Sequence, residues 1–188
     1  MEPGTIILII IIAVIAILVL RIIGAYNAFV RFRNMVDEAF STMDVYLKKR
    51  YDLVPNLVET VKGYAAHESD TLEKVVKARN FATSATSIED RAQGEDLLSG
   101  ALRNLFALSE AYPDLKANTN FLDLQKQLQR IEEDIANSRK QYNSVVREFN
   151  TRIEVFPGNI IAGIFNFTKR PLFEVKDEQH REAVRVEF

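Results

Sequence analysis

Along the first 23 positions apolar side chains follow one another with no polar face. Fifteen are Ile, Leu or Val, and between Ile6 and Ile23 the only charge is Arg21. At ~1.5 Å rise per residue, residues 6–23 span about 27 Å, close to the ~30 Å hydrocarbon core, which predicts one helical crossing of a lipid bilayer. From Tyr26 onward the run becomes a stripe. Tyr26, Phe29, Val30, Val36, Phe40, Met43 and Leu47 recur at helical spacing and predict an amphipathic helix leading straight out of the membrane. Pro55 suits a first turn better than a helix interior, so residues 51–54 are expected to turn or kink. A second helix then runs from Pro55 towards Thr83, burying Leu57, Val58, Val61, Tyr64, Ala65, Leu72, Val75 and Val76. Ser87 with Asp90 forms a capping-box-like start for a third helix through about Ala111, and Tyr112-Pro113-Asp114 closes it. The strongest periodicity lies from Asn118 to about Val155. There Phe121, Leu124, Leu128, Ile131, Ile135, Ser138, Tyr142, Val145, Phe149 and Arg152 follow steps of three and four. Leu128 and Ile135 should be buried in this fourth helix, and Gln129 exposed.

These elements predict an all-α protein: a single transmembrane helix (residues 1–24) followed by an antiparallel, up-and-down four-helix bundle (25–173) and a charged tail (174–188). The tail, dense in both charge signs, is expected to be poorly ordered. A long parallel coiled coil competes for the fourth helix, but three preceding amphipathic segments offer partners within the chain. After it come Phe156-Pro157-Gly158-Asn159, then Ile160, Ile161, Ile164, Phe165, Phe167, Leu172 and Phe173, interrupted by Gly163 and Pro171 and too short to span a membrane. Four antiparallel helices return this segment to the membrane end. It then either caps the core or, with Lys169-Arg170, touches the bilayer. Were Pro55 only to kink one long helix, the count would become odd and the segment would end far from the membrane.

Composition sharpens this picture. The insertion energy of the 15 large aliphatic residues, about −4 to −9 kcal/mol, outweighs at most ~3 kcal/mol for Arg21, which can snorkel. A cleaved signal peptide would carry a basic start and a small-residue cleavage site, neither of which flanks this run, so retention as an anchor is expected. Arg21, Arg31 and Arg33 lie C-terminal to the run and Glu2 precedes it. The positive-inside rule therefore places the N-terminus outside and the following domain in the cytoplasm. A net charge of −2 offers no basic field for nucleic acid, and the absence of Cys removes disulfides, thiolate metal sites and cysteine nucleophiles. Seven Gly and five Pro in 188 residues argue against a turn-rich β fold.

Little in the chain points to catalysis. His67 and His180 are far apart, and His67-Glu68 lacks the second His that a zinc-protease helix carries four residues on, where Thr71 stands. Glu132, Glu133 and Asp134 lack the Glu-x-x-His partner of di-iron bundles and read as a solvated face. No phosphate loop or nucleophile elbow occurs, so no catalytic, cofactor-binding or metal-binding residue and no cofactor is expected. One internal repeat stands out. Tyr26 to Asn34 and Tyr142 to Asn150 share the pattern Y-N-x-x-V-R-x-x-N. Asn at heptad spacing can set helix register through buried hydrogen bonds, or both copies can be exposed and coincidental.

The ordered motifs carry a resemblance. The hydrophobic anchor is followed by Tyr26-Asn27, Arg33-Asn34-Met35-Val36, Ala39-Phe40-Ser41, Met43-Asp44-Val45, Leu47-Lys48-Lys49-Arg50, Asp52-Leu53-Val54-Pro55-Asn56-Leu57-Val58 and Val61-Lys62-Gly63-Tyr64-Ala65. Further along stand Tyr112-Pro113-Asp114-Leu115-Lys116-Ala117-Asn118, Ile131-Glu132, Arg139, Tyr142-Asn143, Asn150 and Phe156-Pro157-Gly158-Asn159-Ile160-Ile161-Ala162. Over nearly its whole length the chain resembles the LemA family of bacterial membrane proteins, departing at Phe40, where the family usually has Trp, and at Tyr51. The resemblance implies an up-and-down helical bundle on a single-pass anchor in the bacterial inner membrane, with no established activity and no catalytic residues to carry over. The expected role is a non-enzymatic adaptor or scaffold of the cell envelope that binds an unknown envelope protein or itself. The alternative is an accessory subunit of a membrane peptidase or an unrecognised enzyme.

Overall fold

A computed structural model describes residues 2–174, and among them the regular elements are all helical. In order they are α1 (Pro3–Lys62), α2 (Ser69–Ser84), α3 (Ile88–Leu108), a 3-10 turn (Ser109–Ala111), α4 (Pro113–Lys116), α5 (Thr119–Glu154) and α6 (Gly158–Ile164). The chain folds as two compact units. Among the described residues, one contains residues 2–41 together with Gln141–Arg170; the other contains Thr42–Lys140 and residues 171–174. Of the expected charged tail only Glu174 is described, so its order lies outside the described residues.

The expectation at Pro55 needs correction. α1 runs through it without a break and ends at Lys62, 60 residues in all. A proline inside a helix lacks the N–H that would reach the carbonyl four residues earlier, here that of Tyr51. That carbonyl is not left unpaired, because Arg79 of α2 donates its Nε to it at 3.3 Å. The proline ring itself is exposed, while Tyr51, Val54, Leu57 and Val61 hold the buried stripe in register across it. Burial of that stripe and the substitute donor together offset the roughly 3 kcal/mol an interior proline costs. The break comes instead at residues 63–68, so the long helices among the described residues still number four.

The other boundaries follow local chemistry. The Ser87 hydroxyl accepts from the Asp90 amide at 2.9 Å and starts α3, and Asn118 Oδ1 accepts from the Phe121 amide at 2.9 Å and starts α5. The third and fourth predicted helices therefore lie within a few residues of their expected places. α2 and α3 approach closely enough that a Cβ at Gly94 would stand 2.6 Å from the Ala82 Cα, which is why α3 carries a glycine in mid-helix. α6 ends at Ile164, and the chain leaves it through Asn166, whose φ of 56° is left-handed and tolerated by asparagine. The Phe167 amide then reaches back to the Ala162 carbonyl at 2.9 Å, a Schellman-type ending.

In α5, Phe121, Leu128, Ile135, Ser138, Tyr142 and Phe149 are buried as the periodicity predicts, and Gln129 is exposed. Past Tyr142 the buried stripe drifts. Val146 is fully buried rather than Val145, and Arg152 is exposed and lies over the Phe32 ring at 4.2 Å. A straight helix of 3.6 residues per turn rotates away from a strict heptad in this way. Within the first unit, Phe165 and Phe167 meet Tyr26 at centroid distances of 4.8 and 5.8 Å, and Phe167 stacks on Phe29 at 5.1 Å.

Candidate functional site

On the buried stripe of α1 the steps Met43, Leu47, Arg50, Val54, Leu57 and Val61 place an arginine where an apolar side chain is expected. On α3 the series Ala92, Glu95, Leu98, Leu102 and Leu105 does the same with a glutamate. The fold brings the two together. Arg50 is 1% exposed and Glu95 3%, and Arg50 Nη1 stands 3.5 Å from Glu95 Oε2. Three further contacts close around the guanidinium: Nη1 donates to Glu132 Oε2 of α5 at 2.5 Å, and Nη2 donates to Ser99 Oγ at 2.8 Å and to the Glu95 carbonyl at 3.2 Å. Ser99 Oγ in turn donates to Glu132 Oε1 at 3.1 Å, and the Tyr51 hydroxyl donates to Glu95 Oε1. One cation from α1 thus ties α3 to α5.

Two carboxylates share this single guanidinium, so the cluster carries an excess negative charge. Burial pushes the Glu95 carboxyl above its usual range, and Glu132 adds to that push. Arg50 and the Tyr51 hydrogen bond pull it down without cancelling the effect. Burial, with the Glu95 charge beside it, raises the Tyr51 phenol well above its usual range and keeps it a donor. Among the described residues Arg50 Nε and Glu95 Oε2 make no hydrogen bond, although Oε2 keeps the ion pair to Arg50 Nη1. Such a site costs desolvation energy, and removing one partner leaves the other buried without its match.

Beside the cluster α3 and α5 leave a cleft of about 700 Å³ lined by Leu102, Phe106 and Leu128 together with Arg50, Asp96, Arg103 and Glu133. Ser99 has a carboxylate beside it but no imidazole, since His67 is exposed in the turn before α2; His180 lies outside the described residues. No group of three or more His, Asp or Glu that could hold a metal gathers among the described residues. The acidic run of α5 is a solvated face, with Glu132, Glu133 and Asp134 all exposed, and from that face Glu132 also engages Arg50.

The repeated pattern splits. In the first copy Asn27 and Asn34 are exposed. In the second, Asn143 is buried, and Asn150 clasps the Arg170 backbone, donating Nδ2 to its carbonyl and accepting its amide on Oδ1, both at 2.8 Å. Arg50, Tyr51 and Glu95 went unrecognised as a site because hydropathy scans skip charged residues. The overlooked signal was opposite charges at apolar positions of two stripes.

The sequence profile of the LemA family matches residues 39–188. Protein LemA of Metamycoplasma hominis is 28% identical over 169 residues, covering 88% of this chain and 74% of that relative. Magnetosome protein MamQ 2 of Paramagnetospirillum magneticum is 26% identical over 177 residues. Magnetosome protein MamQ of Magnetospirillum gryphiswaldense has the same identity over the same length. This chain spans 65% of the length of each magnetosome relative.

Proposed function

The chain belongs to the LemA family, and from that premise we propose that it is a non-enzymatic scaffold of the bacterial inner membrane, anchored through residues 6–23. The carrying observation is the state of α1. Every large aliphatic side chain from Ile6 to Ile23 is exposed, each at least 41%, on the same uninterrupted helix that supplies buried residues from Phe29 to Val61. Water does not tolerate such a belt, whereas a bilayer does. Within the first unit the anchor passes into the buried stripe at Phe29 and Val36 on one unbroken helix, so no loop separates residues 6–23 from residues 25–41. In this reading the four long helices form an antiparallel bundle whose surface binds another envelope protein or a second copy. The N-terminus lies outside and the domain in the cytoplasm, as Arg21, Arg31 and Arg33 favour.

The test is made in cells. The full chain should sediment with membranes and resist alkaline extraction, deletion of residues 1–23 should release a soluble helical domain, and protease added outside intact cells should spare the domain. A photo-crosslinker at exposed Gln129 should trap one discrete species in native membranes. A soluble full-length chain would overturn the anchor, and the absence of any adduct from a panel of exposed positions would overturn the scaffold.

A further inference from the structure

Outside residues 6–23, the large apolar side chains that stand exposed are scattered singly until Val155. Five then fall within eleven residues: Val155 (49%), Phe156 (78%), Ile160 (53%), Ile164 (63%) and Phe165 (43%). The same segment buries Ile161 and Ala162. α6 therefore has one face packed and the other bare, and an exposed apolar cluster of this kind marks an interaction surface.

Its neighbours name the partner. Pro157, Ile160 and Ile161 line one recess with Leu18, Leu20, Arg21, Ile22 and Gly24, the last turns of the apolar run. Gly158 sits so close to α1 that a Cβ there would stand 3.4 Å from the Phe29 ring. The bare face of α6 is thus continuous with the apolar belt of α1, at the level where that belt ends. We infer that α6 and its flanking aromatics, Val155 to Phe165, form a second membrane element that lies in the lipid interface beside the anchor. An amphipathic segment there buries its apolar face at the boundary between headgroups and acyl chains, and aromatic rings favour that depth. Arg21 shares the recess, and Arg31 and Arg33 follow along α1, so the surrounding charge suits anionic headgroups. The inference rests on residues 6–23 crossing the bilayer.

The chain contains no Trp, so single substitutions report depth without background. Full-length F156W, I164W, I12W and M35W are reconstituted in phosphatidylcholine–phosphatidylglycerol vesicles with acyl chains brominated at shallow or deep positions. Ile12 tests the anchor. Met35 is exposed on α1, 12 residues and about 18 Å beyond Ile23. Expected are blue-shifted emission and loss of intensity with shallow bromines for F156W and I164W, loss with deep bromines for I12W, and neither for M35W. If I12W is quenched while F156W and I164W emit like M35W, the interfacial element is wrong and the anchor stands. If I12W is unquenched, anchor and inference fall together. A blue shift of F156W without bromine quenching would show protein, such as a second copy, covering the face and would overturn the lipid assignment.

Discussion

The core of residues 42–140 is pierced by a buried guanidinium, whereas the core that residues 25–41 form with 141–170 is closed by rings and one amide clasp. In the former, Arg50 meets Glu95, Glu132 and Ser99 from two other helices. In the latter, Phe40 meets the Tyr142 ring edge-on at 5.8 Å, Phe167 stacks on Phe29, and Asn150 holds the Arg170 backbone. Rings associate through buried area and tolerate variation in geometry. A buried charge demands fixed partners, so it selects one helix arrangement over near alternatives at a cost in stability. The two regions should therefore fail differently.

The largest effect is expected at Arg50. Arg50→Met should cost about 3 to 5 kcal/mol, because it strands Glu95 in the core. Urea denaturation of the full chain in detergent measures it, and a double variant Arg50→Met with Glu95→Met should recover part of the loss. No recovery would mean that the guanidinium acts by packing and not by charge. At the amide clasp, Asn150→Ala removes both hydrogen bonds to Arg170 and should cost about 1 to 3 kcal/mol. Asn34→Ala, at the matching position of the first repeat, should stay within about 0.5 kcal/mol of the parent. Equal losses at the two asparagines would erase the distinction drawn between the copies.

Acidity separates the regions further. The Glu95 carboxyl ionises less readily in the folded chain than in the unfolded one, so folding takes up a proton there. Its contribution to stability is fully present below the ordinary glutamate range and declines as pH rises through that range to the raised folded value. Glu95→Gln removes this dependence, so the stability difference between parent and variant should change across that window and level off above it. Asn150→Ala should leave the pH profile parallel to the parent. A flat difference for Glu95→Gln would mean that Arg50 fully compensates the buried charge.

Much of this was legible in the chain. The all-round apolar run of residues 6–23, the Ser87 and Asn118 helix starts and the burial of Leu128 and Ile135 follow from short-range pattern, because capping groups and helical periodicity act within a turn or two. Pro55 was misleading for a physical reason. Its local penalty is real, but Arg79, 24 positions further on, supplies the donor its carbonyl partner needs, and no local rule anticipates that. The same holds for Val146 replacing Val145 in the core, and for the two copies of Y-N-x-x-V-R-x-x-N, identical in pattern yet exposed at Asn34 and engaged at Asn150. The sequence by itself determined where the third and fourth predicted helices begin, most of the stripe the last one buries and that residues 6–23 are apolar on every side. Only the tertiary structure decided that Arg50 and Glu95 on those stripes neutralise each other, because desolvation makes a lone buried charge untenable and leaves to the fold the choice of its partner.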